Sequence, residues 1–380
     1  MKMGYDNPMT KRNFKADGRE GLLIGLTLFS MFFGAGNLIF APFMGAQAAA
    51  NTPLALLGFI ATAVFCPIFT VLILSRYKDA WGMLSKISPV FALVFITLIY
   101  LMIGPGVAIP RTATTSYEMF GWLFPDTLWM RVVYSVVFFG AAGLLARHPS
   151  ALKDVLGKIL TPVLIVLVLL ICTASFFQSG SAGTVQEAYA SSAFMKGITE
   201  GYQTMDILAA YCFGPVLMLN IQALPERKGR KQKSIMTIAC LVAGVLLGVL
   251  YSLLGLCAAR QSGALSGFTN GAQILSFMAA ESFGMAGQVI CAVIFLIACF
   301  NVCTGLLCCC ATFFEEQFGK LGYDGWLLLF TLVSLVLSLF GLDQILKVSS
   351  PMLSVLCPIA LLLILWGALS LLRKKNRSIA

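Results

Sequence analysis

Residues 32–43 read FFGAGNLIFAPF, and within them Gly34, Ala35, Gly36 and Asn37 have the types and spacing that let a backbone hold ions. Two glycines open close access to main-chain amides and carbonyls, and Asn37 adds a side-chain oxygen and an NH2 group. A helix broken here would begin again with free N–H groups and a positive dipole end, suited to a carboxylate. The half before the break would leave carbonyls for a cation. Gly34, Ala35, Gly36 and Asn37 are therefore candidate binders of an anionic ligand, and Gly34 and Asn37 of a sodium ion beside it. Small residues at this spacing also serve plain helix packing, so a second break elsewhere is the observation that decides between the two.

That second break is expected in EGYQTMDILAAYCFGPVLMLN, which places Thr204, Met205 and Asp206 early and Gly214-Pro215 later. This run joins a carboxylate to a Gly-Pro inside an apolar stretch, and an ionisable residue in such a stretch is costly enough to imply a site. With a helix starting near Ile198, Asp206 lies roughly 12 Å in, at ~1.5 Å per residue. Further along, Asn301 and Thr304 are three residues apart, share one helix face, and offer oxygens that would complete a cation shell. Arg111 and Glu118, two turns apart in IPRTATTSYE, are candidates for an outer gate, with an interfacial anchor as the plainer role for Arg111.

Catalytic chemistry is excluded by what is missing. His148 is the one histidine and follows Arg147 in a connection; the 12 cysteines sit inside apolar runs, and Cys308, Cys309 and Cys310 point around a helix rather than to one face. No cofactor and no resident metal are expected, and the chain reads as no enzyme. Nor do the basic residues form a nucleic-acid patch, despite a net charge of +10.

The elements that must position these groups are membrane helices. Of the 380 residues, 59% are hydrophobic and 11% charged, and the mean hydropathy of +0.90 is far above that of a soluble domain. Apolar runs recur near 21–47, 53–75, 88–119, 128–147, 155–177, 199–223, 234–258, 285–314, 326–343 and 345–372, each long enough to cross ~30 Å of hydrocarbon. The third spans MIGPGVAIPRTATTSYE only if its two prolines kink the helix without ending it, which is the reading adopted. The first is too long for a signal peptide and counts as a membrane helix.

Lysine and arginine concentrate at the N-terminus, the even-to-odd connections and the C-terminus. Only Arg111, Arg131, Lys196, Arg260 and Lys347 fall on the other side, so both ends should be cytoplasmic. Residues 1–20 and 373–380 are then cytoplasmic tails around a single domain, 21–372. Ten helices with both ends inside divide into two fives of opposite topology, about 21–177 and 199–372. The first helix of each half is the interrupted one, which is the sequence pointer to a transporter's binding site.

LFSMFFGAGNLIFAPFMGAQA, IPRTATTSYE, GYQTMDILAAYCFG and NGAQIL, in this order and spacing, resemble the bacterial branched-chain amino acid:cation symporters of the amino acid, polyamine and organocation superfamily. The resemblance covers nearly the whole chain. It implies an all-α, five-plus-five inverted repeat of the leucine-transporter type in a bacterial plasma membrane. It also implies uptake of leucine, isoleucine and valine driven by Na+ or by H+. Under it, Gly34 to Asn37 would meet the substrate's amino acid backbone and part of the sodium shell, and Thr204, Met205 and Asp206 would line the cavity. Helices three, six and eight would hold the aliphatic side chain. Two departures stand out: Asn301-Val302 replaces the expected paired hydroxyls on helix eight, with Thr304 as substitute, and the usual two further helices do not follow helix ten. An exchanger for other neutral amino acids, or a sensor that binds without accumulating, are the alternatives.

Overall fold

Inside hydrocarbon every backbone N–H and C=O needs a partner within the chain, and helices alone supply it here; no strand occurs among the described residues. The computed structural model describes residues 8–377 apart from 78, 124–126, 149–152, 223–229, 266 and 269. Seven stretches among them are long and apolar enough to cross a membrane, including Ala35–Tyr77, Pro89–Glu118 and Met285–Phe318.

The first apolar run is broken where its glycines fall, into α1 (Pro8–Phe32) and α2 (Ala35–Ala48). α1 begins at Pro8, so most of the expected 1–20 tail is helical; nothing between Pro8 and the apolar run stops a helix, and residues 1–7 lie outside the described residues. α3 (Thr52–Ile60) and α4 (Cys66–Tyr77) form one rod through a wide turn at Ala61–Phe65, and a short α5 (Ala80–Leu84) is capped by Asp79, whose Oδ1 accepts from Gly82 N at 2.6 Å. α6 (Pro89–Leu101) and α7 (Ala108–Glu118) are the halves of the third run, joined through Met102–Gly106 with a non-helical Gly104. The prolines kink this run without expelling it: every residue from Ala108 to Tyr117 is buried. A polar helix buried on all sides marks the centre of the molecule.

α8 (Leu128–Ala146) and α9 (Thr161–Phe176) follow, the latter preceded by a wide helical segment at Lys153–Leu160. The sixth run departs from expectation. It forms α10 (Glu187–Gln203) and α11 (Asp206–Gln222), and the break is at Thr204-Met205. Gly214-Pro215, expected to contribute to it, lies inside continuous α11; a proline frees one carbonyl but leaves the remaining ladder intact. α10 also starts at Glu187 rather than near Ile198, with a kink at the non-helical Ser192, and Asp206 opens a half-helix instead of lying along a whole one.

α12 (Arg230–Arg260) leads to α13 (Ser262–Leu265) and to α14 (Gly271–Phe283), a helix too short and too mixed in pattern to appear among the expected spans. Asn270 caps α14 through Oδ1, which accepts from Gln273 N at 3.0 Å, and α14 packs on α2. α15 (Met285–Phe318), α16 (Gly322–Ser338) and α17 (Leu342–Arg377) complete the chain, with α17 helical into the expected basic tail. α1 and α2 pack on α12, α10 on α3, α11 on α4, and α7 on α15. The two broken helices thus sit in the middle, and α7 and α15 close over their breaks.

α3 and α10 cross with main chains in contact. A Cβ on Gly197 would lie 2.0 Å from the Ala55 carbonyl oxygen, and one on Gly58 would lie 2.1 Å from that of Phe194. Gly197→Ala must therefore push two backbones apart. We expect it to lower the unfolding midpoint in detergent, at a cost of about 1–3 kcal/mol, the range for overpacking. An unchanged midpoint would mean the crossing is looser than described.

Candidate functional site

Each break is built by its own sequence. At the first, Phe33 and Gly34 leave the helical path; Gly34 is extended (φ −124°, ψ −160°) and its N–H donates to Asn37 Oδ1 at 3.1 Å, so the side chain three residues on caps the new helix. The opening N–H groups of α2, from Ala35 and Gly36, have no intrahelical acceptor. At the second, Met205 takes a left-handed conformation (φ 69°) that a side-chain-bearing residue holds at a cost of about 1–3 kcal/mol. Thr204 Oγ1 donates to the Gly201 carbonyl at 2.8 Å, ending α10, and Asp206 opens α11, where the helix dipole favours its carboxylate.

The two breaks meet. Asn37 Nδ2 donates to Asp206 Oδ2 at 2.6 Å and to the hydroxyl oxygen of Tyr251, and Tyr251 in turn donates to Asp206 Oδ2 at 3.4 Å. All three are buried, Asp206 at 3% exposure. Tyr251 comes from α12 and is wedged by rings: Phe33 stacks on it at 5.9 Å between centroids and Phe59 meets it edge-on at 5.4 Å. Asn37 therefore bridges its own break, through Gly34, to the other, through Asp206. Sequence alone does not single out Tyr251; its one signal is a phenol inside the apolar run GVLLGVLYSLLG, since a buried tyrosine hydroxyl needs a partner.

Arg111 is the larger surprise. As an outer gate it should pair with Glu118 near the surface, yet it is 4% exposed and lines the same small cavity as Gly34, Ala35, Asn37, Thr204, Met205 and Asp206. Its Nη1 donates to the Gln203 carbonyl at 3.2 Å, and a Cβ on Gly36 would lie 2.6 Å from its Nη2. Glu118, exposed two turns on at the end of α7, lines a different cavity with Arg131 and Gln344. The structure separates the expected gate pair because seven residues of helix is about 10 Å of travel.

Ile103, Met205, Val302 and Leu306 give the cavity apolar walls beside the polar cluster. The room between them open to the centre of a water molecule is about 20 Å³, against the ~10–15 Å³ that one water needs. Roomier spaces lie elsewhere, about 400 Å³ at Glu118 and Arg131 and about 410 Å³ between α8 and α16, but neither touches a helix break. Convergence of the two breaks with an acid and a base, rather than volume, makes this the candidate site.

Asn301 and Thr304 do not line that cavity; they lie on α15 beside Val302, which does. Val302 presses on the first break, since a Cβ on Gly34 would lie 2.6 Å from its Cγ2, and Gly305 packs against Met31. Asn301 is 0% exposed, and among the described residues neither its Oδ1 nor its Nδ2 has a hydrogen-bond partner. Thr304 donates to the Phe300 carbonyl at 2.8 Å and the Asn301 carbonyl at 3.0 Å, leaving its oxygen free to accept. Among the described residues no three of His, Cys, Asp and Glu group as a metal site.

Residues 17–380 match the family described as branched-chain amino acid transport protein. The chain is 35% identical to the branched-chain amino acid permease BraB of Bacillus subtilis over 371 residues, covering 95% of this chain and 82% of that one. It is 35% identical to the branched-chain amino acid permease BrnQ of Escherichia coli K12 over 343 residues, covering 90% and 78%. Among solved structures, Mhp1, a nucleobase-cation-symport-1 family transporter in a closed conformation, superposes with TM-score 0.60 at 13% identity, covering 90% of this chain and 77% of that one. MhsT in complex with L-phenylalanine superposes with TM-score 0.56 at 16% identity, covering 90% and 87%. The fold is shared with both.

Proposed function

The chain belongs to the branched-chain amino acid transport protein family, whose members named above are permeases and not enzymes, and from that premise we propose that it imports leucine, isoleucine and valine by symport with Na+ through alternating access. In this reading it crosses a bacterial plasma membrane ten times with both ends cytoplasmic, as one domain over 21–372. Two five-helix halves, about 21–177 and 199–372, rock around the meeting point of the broken helices. The observation that carries the proposal is that meeting point: α2 and α11 start beside one another, tied by Asn37 and Asp206, in a pocket whose other walls are aliphatic.

A zwitterionic amino acid fits this chemistry. Its carboxylate suits the free N–H groups at the start of α2, its ammonium suits Asp206, and its side chain suits Ile103, Met205, Val302 and Leu306. Aliphatic walls discriminate weakly between isoleucine and valine, since one methylene is worth only about 1–3 kcal/mol, so all three substrates are accepted.

The sodium ion is assigned to the end of α1 and to α15, with Asn301 Oδ1, Thr304 Oγ1 and the free carbonyls at the α1 break as ligands. The support is the unpartnered Asn301: a buried amide without a partner costs about 1–3 kcal/mol, a cost that coordination of a cation would remove. Asn301→Leu separates this role from a structural one. It should leave stability in potassium unchanged or raised, while abolishing the extra stability that sodium confers and weakening half-saturation by sodium about 10-fold or more, the scale of one lost ligand. A variant stabilised by sodium as well as the parent sinks the assignment.

The transport proposal itself is tested by radiolabelled leucine uptake into proteoliposomes with an inward sodium gradient against potassium without one. Equal accumulation in both overturns sodium coupling. The buried carboxylate of Asp206 supports a second reading, coupling to H+, in which an inward proton gradient drives uptake without sodium and Asp206→Asn removes that drive.

A further inference from the structure

We propose that Arg111 is a specificity-determining residue that grips the substrate's α-carboxylate in its guanidinium fork, so that this transporter selects for a free carboxylate through a side chain as well as through helix ends. The proposal rests on the transport reading above. It begins from an imbalance. A guanidinium has five N–H donors, and among the described residues Arg111 spends one of them, on the Gln203 carbonyl at 3.2 Å, with no carboxylate within 4.0 Å of it. Yet the residue is only 4% exposed, on a helix buried from Ala108 to Tyr117. A buried cation left this incompletely paired is expensive unless it has an anion to receive.

Three features aim it at the site. Its Nη2 lies where a Cβ of Gly36 would be 2.6 Å away, so the fork rests on the opening turn of α2, whose N–H groups already favour an anion. Its Nη1 is steered by the carbonyl of Gln203, the last residue of α10, so both breaks hold it. Asp206 lines the same cavity without pairing directly with it. The cavity therefore presents a cation and a carboxylate separately, and a zwitterion satisfies both, while an amine or an acid alone satisfies one. Arginine suits the carboxylate because its planar fork donates to both oxygens; lysine offers one point charge.

The test is binding of radiolabelled leucine to the purified full chain in sodium, competed by leucine, leucinamide and 4-methylpentanoate, for the parent, Arg111→Gln and Arg111→Lys. In the parent, leucinamide should compete about 100-fold more weakly than leucine, because it leaves a buried charged donor unpaired. The acid without an amine should compete measurably. In Arg111→Gln, leucine should weaken about 100-fold while leucinamide changes less than about threefold, so their ratio collapses; Arg111→Lys should fall between. A leucine-to-leucinamide ratio below about threefold in the parent overturns the proposal without any variant, which covers the case of variants that misfold. A ratio unchanged in a monodisperse Arg111→Gln overturns it too, since the carboxylate would then be read by the helix ends alone. A parent that binds no leucine at all fails the transport reading, and the carboxylate assignment falls with it.

Discussion

Asn37→Ala is expected to reduce leucine uptake about 100-fold or more, with expression and monodispersity preserved. The substitution removes the donor to Asp206 at 2.6 Å, the contact to Tyr251 and the cap on Gly34 N at 3.1 Å. Each orphaned buried group costs about 1–3 kcal/mol, more where it is charged, and here one alanine leaves a carboxylate and a backbone N–H short at once. The loss falls on function more than on fold because the affected atoms lie at the ends of half-helices, whose packing against α12 and α4 does not depend on them. Initial rates of radiolabelled leucine uptake in proteoliposomes measure it. Uptake within threefold of the parent would mean that Asn37 does not join the two breaks during transport.

Gly36→Val should be nearly as damaging by a different route. Even an alanine Cβ would come within 2.6 Å of Arg111 Nη2 and 3.3 Å of the Thr204 Cα and carbonyl oxygen. The guanidinium is the far end of a flexible side chain and can swing aside, but the Thr204 backbone belongs to the strained turn before Met205. A valine therefore displaces Arg111 and spreads the two breaks. We expect leucine binding weakened about 100-fold and uptake lost, with the unfolding midpoint lowered only modestly, since overpacking at one cavity wall costs about 1–3 kcal/mol. Alanine should lie between valine and the parent. Binding that stays at the parent's level in Gly36→Val would show that the fork is not held where the structure places it.

Sequence makes the first break legible and blurs the second for one reason: glycine advertises irregular backbone and methionine does not. Gly34 announces its turn, with Gly36 in the first turn of the helix that follows, whereas the turn at Thr204-Met205 is held by tertiary contact against Met205's own preference, so Gly214-Pro215 draws attention to the wrong place. Asp206 stands out because a carboxylate in an apolar run is too costly to keep there without a role. Arg111 is conspicuous as a residue but misleading in depth, because IPRTATTSYE is polar enough to look like a helix leaving the membrane. Only the packing of α7 against α15 shows it to be interior. Tyr251 and α14 carry weak signals, one phenol and one short helix, whose meaning depends on partners distant in the chain.

The narrowness of the central cavity bears on what the protein does between turnovers. With about 20 Å³ beside Asn37 and Asp206, the space holds about one water, and an ion entering it would have to shed its hydration. In this conformation, then, the space where the two breaks meet is closed to a hydrated ion.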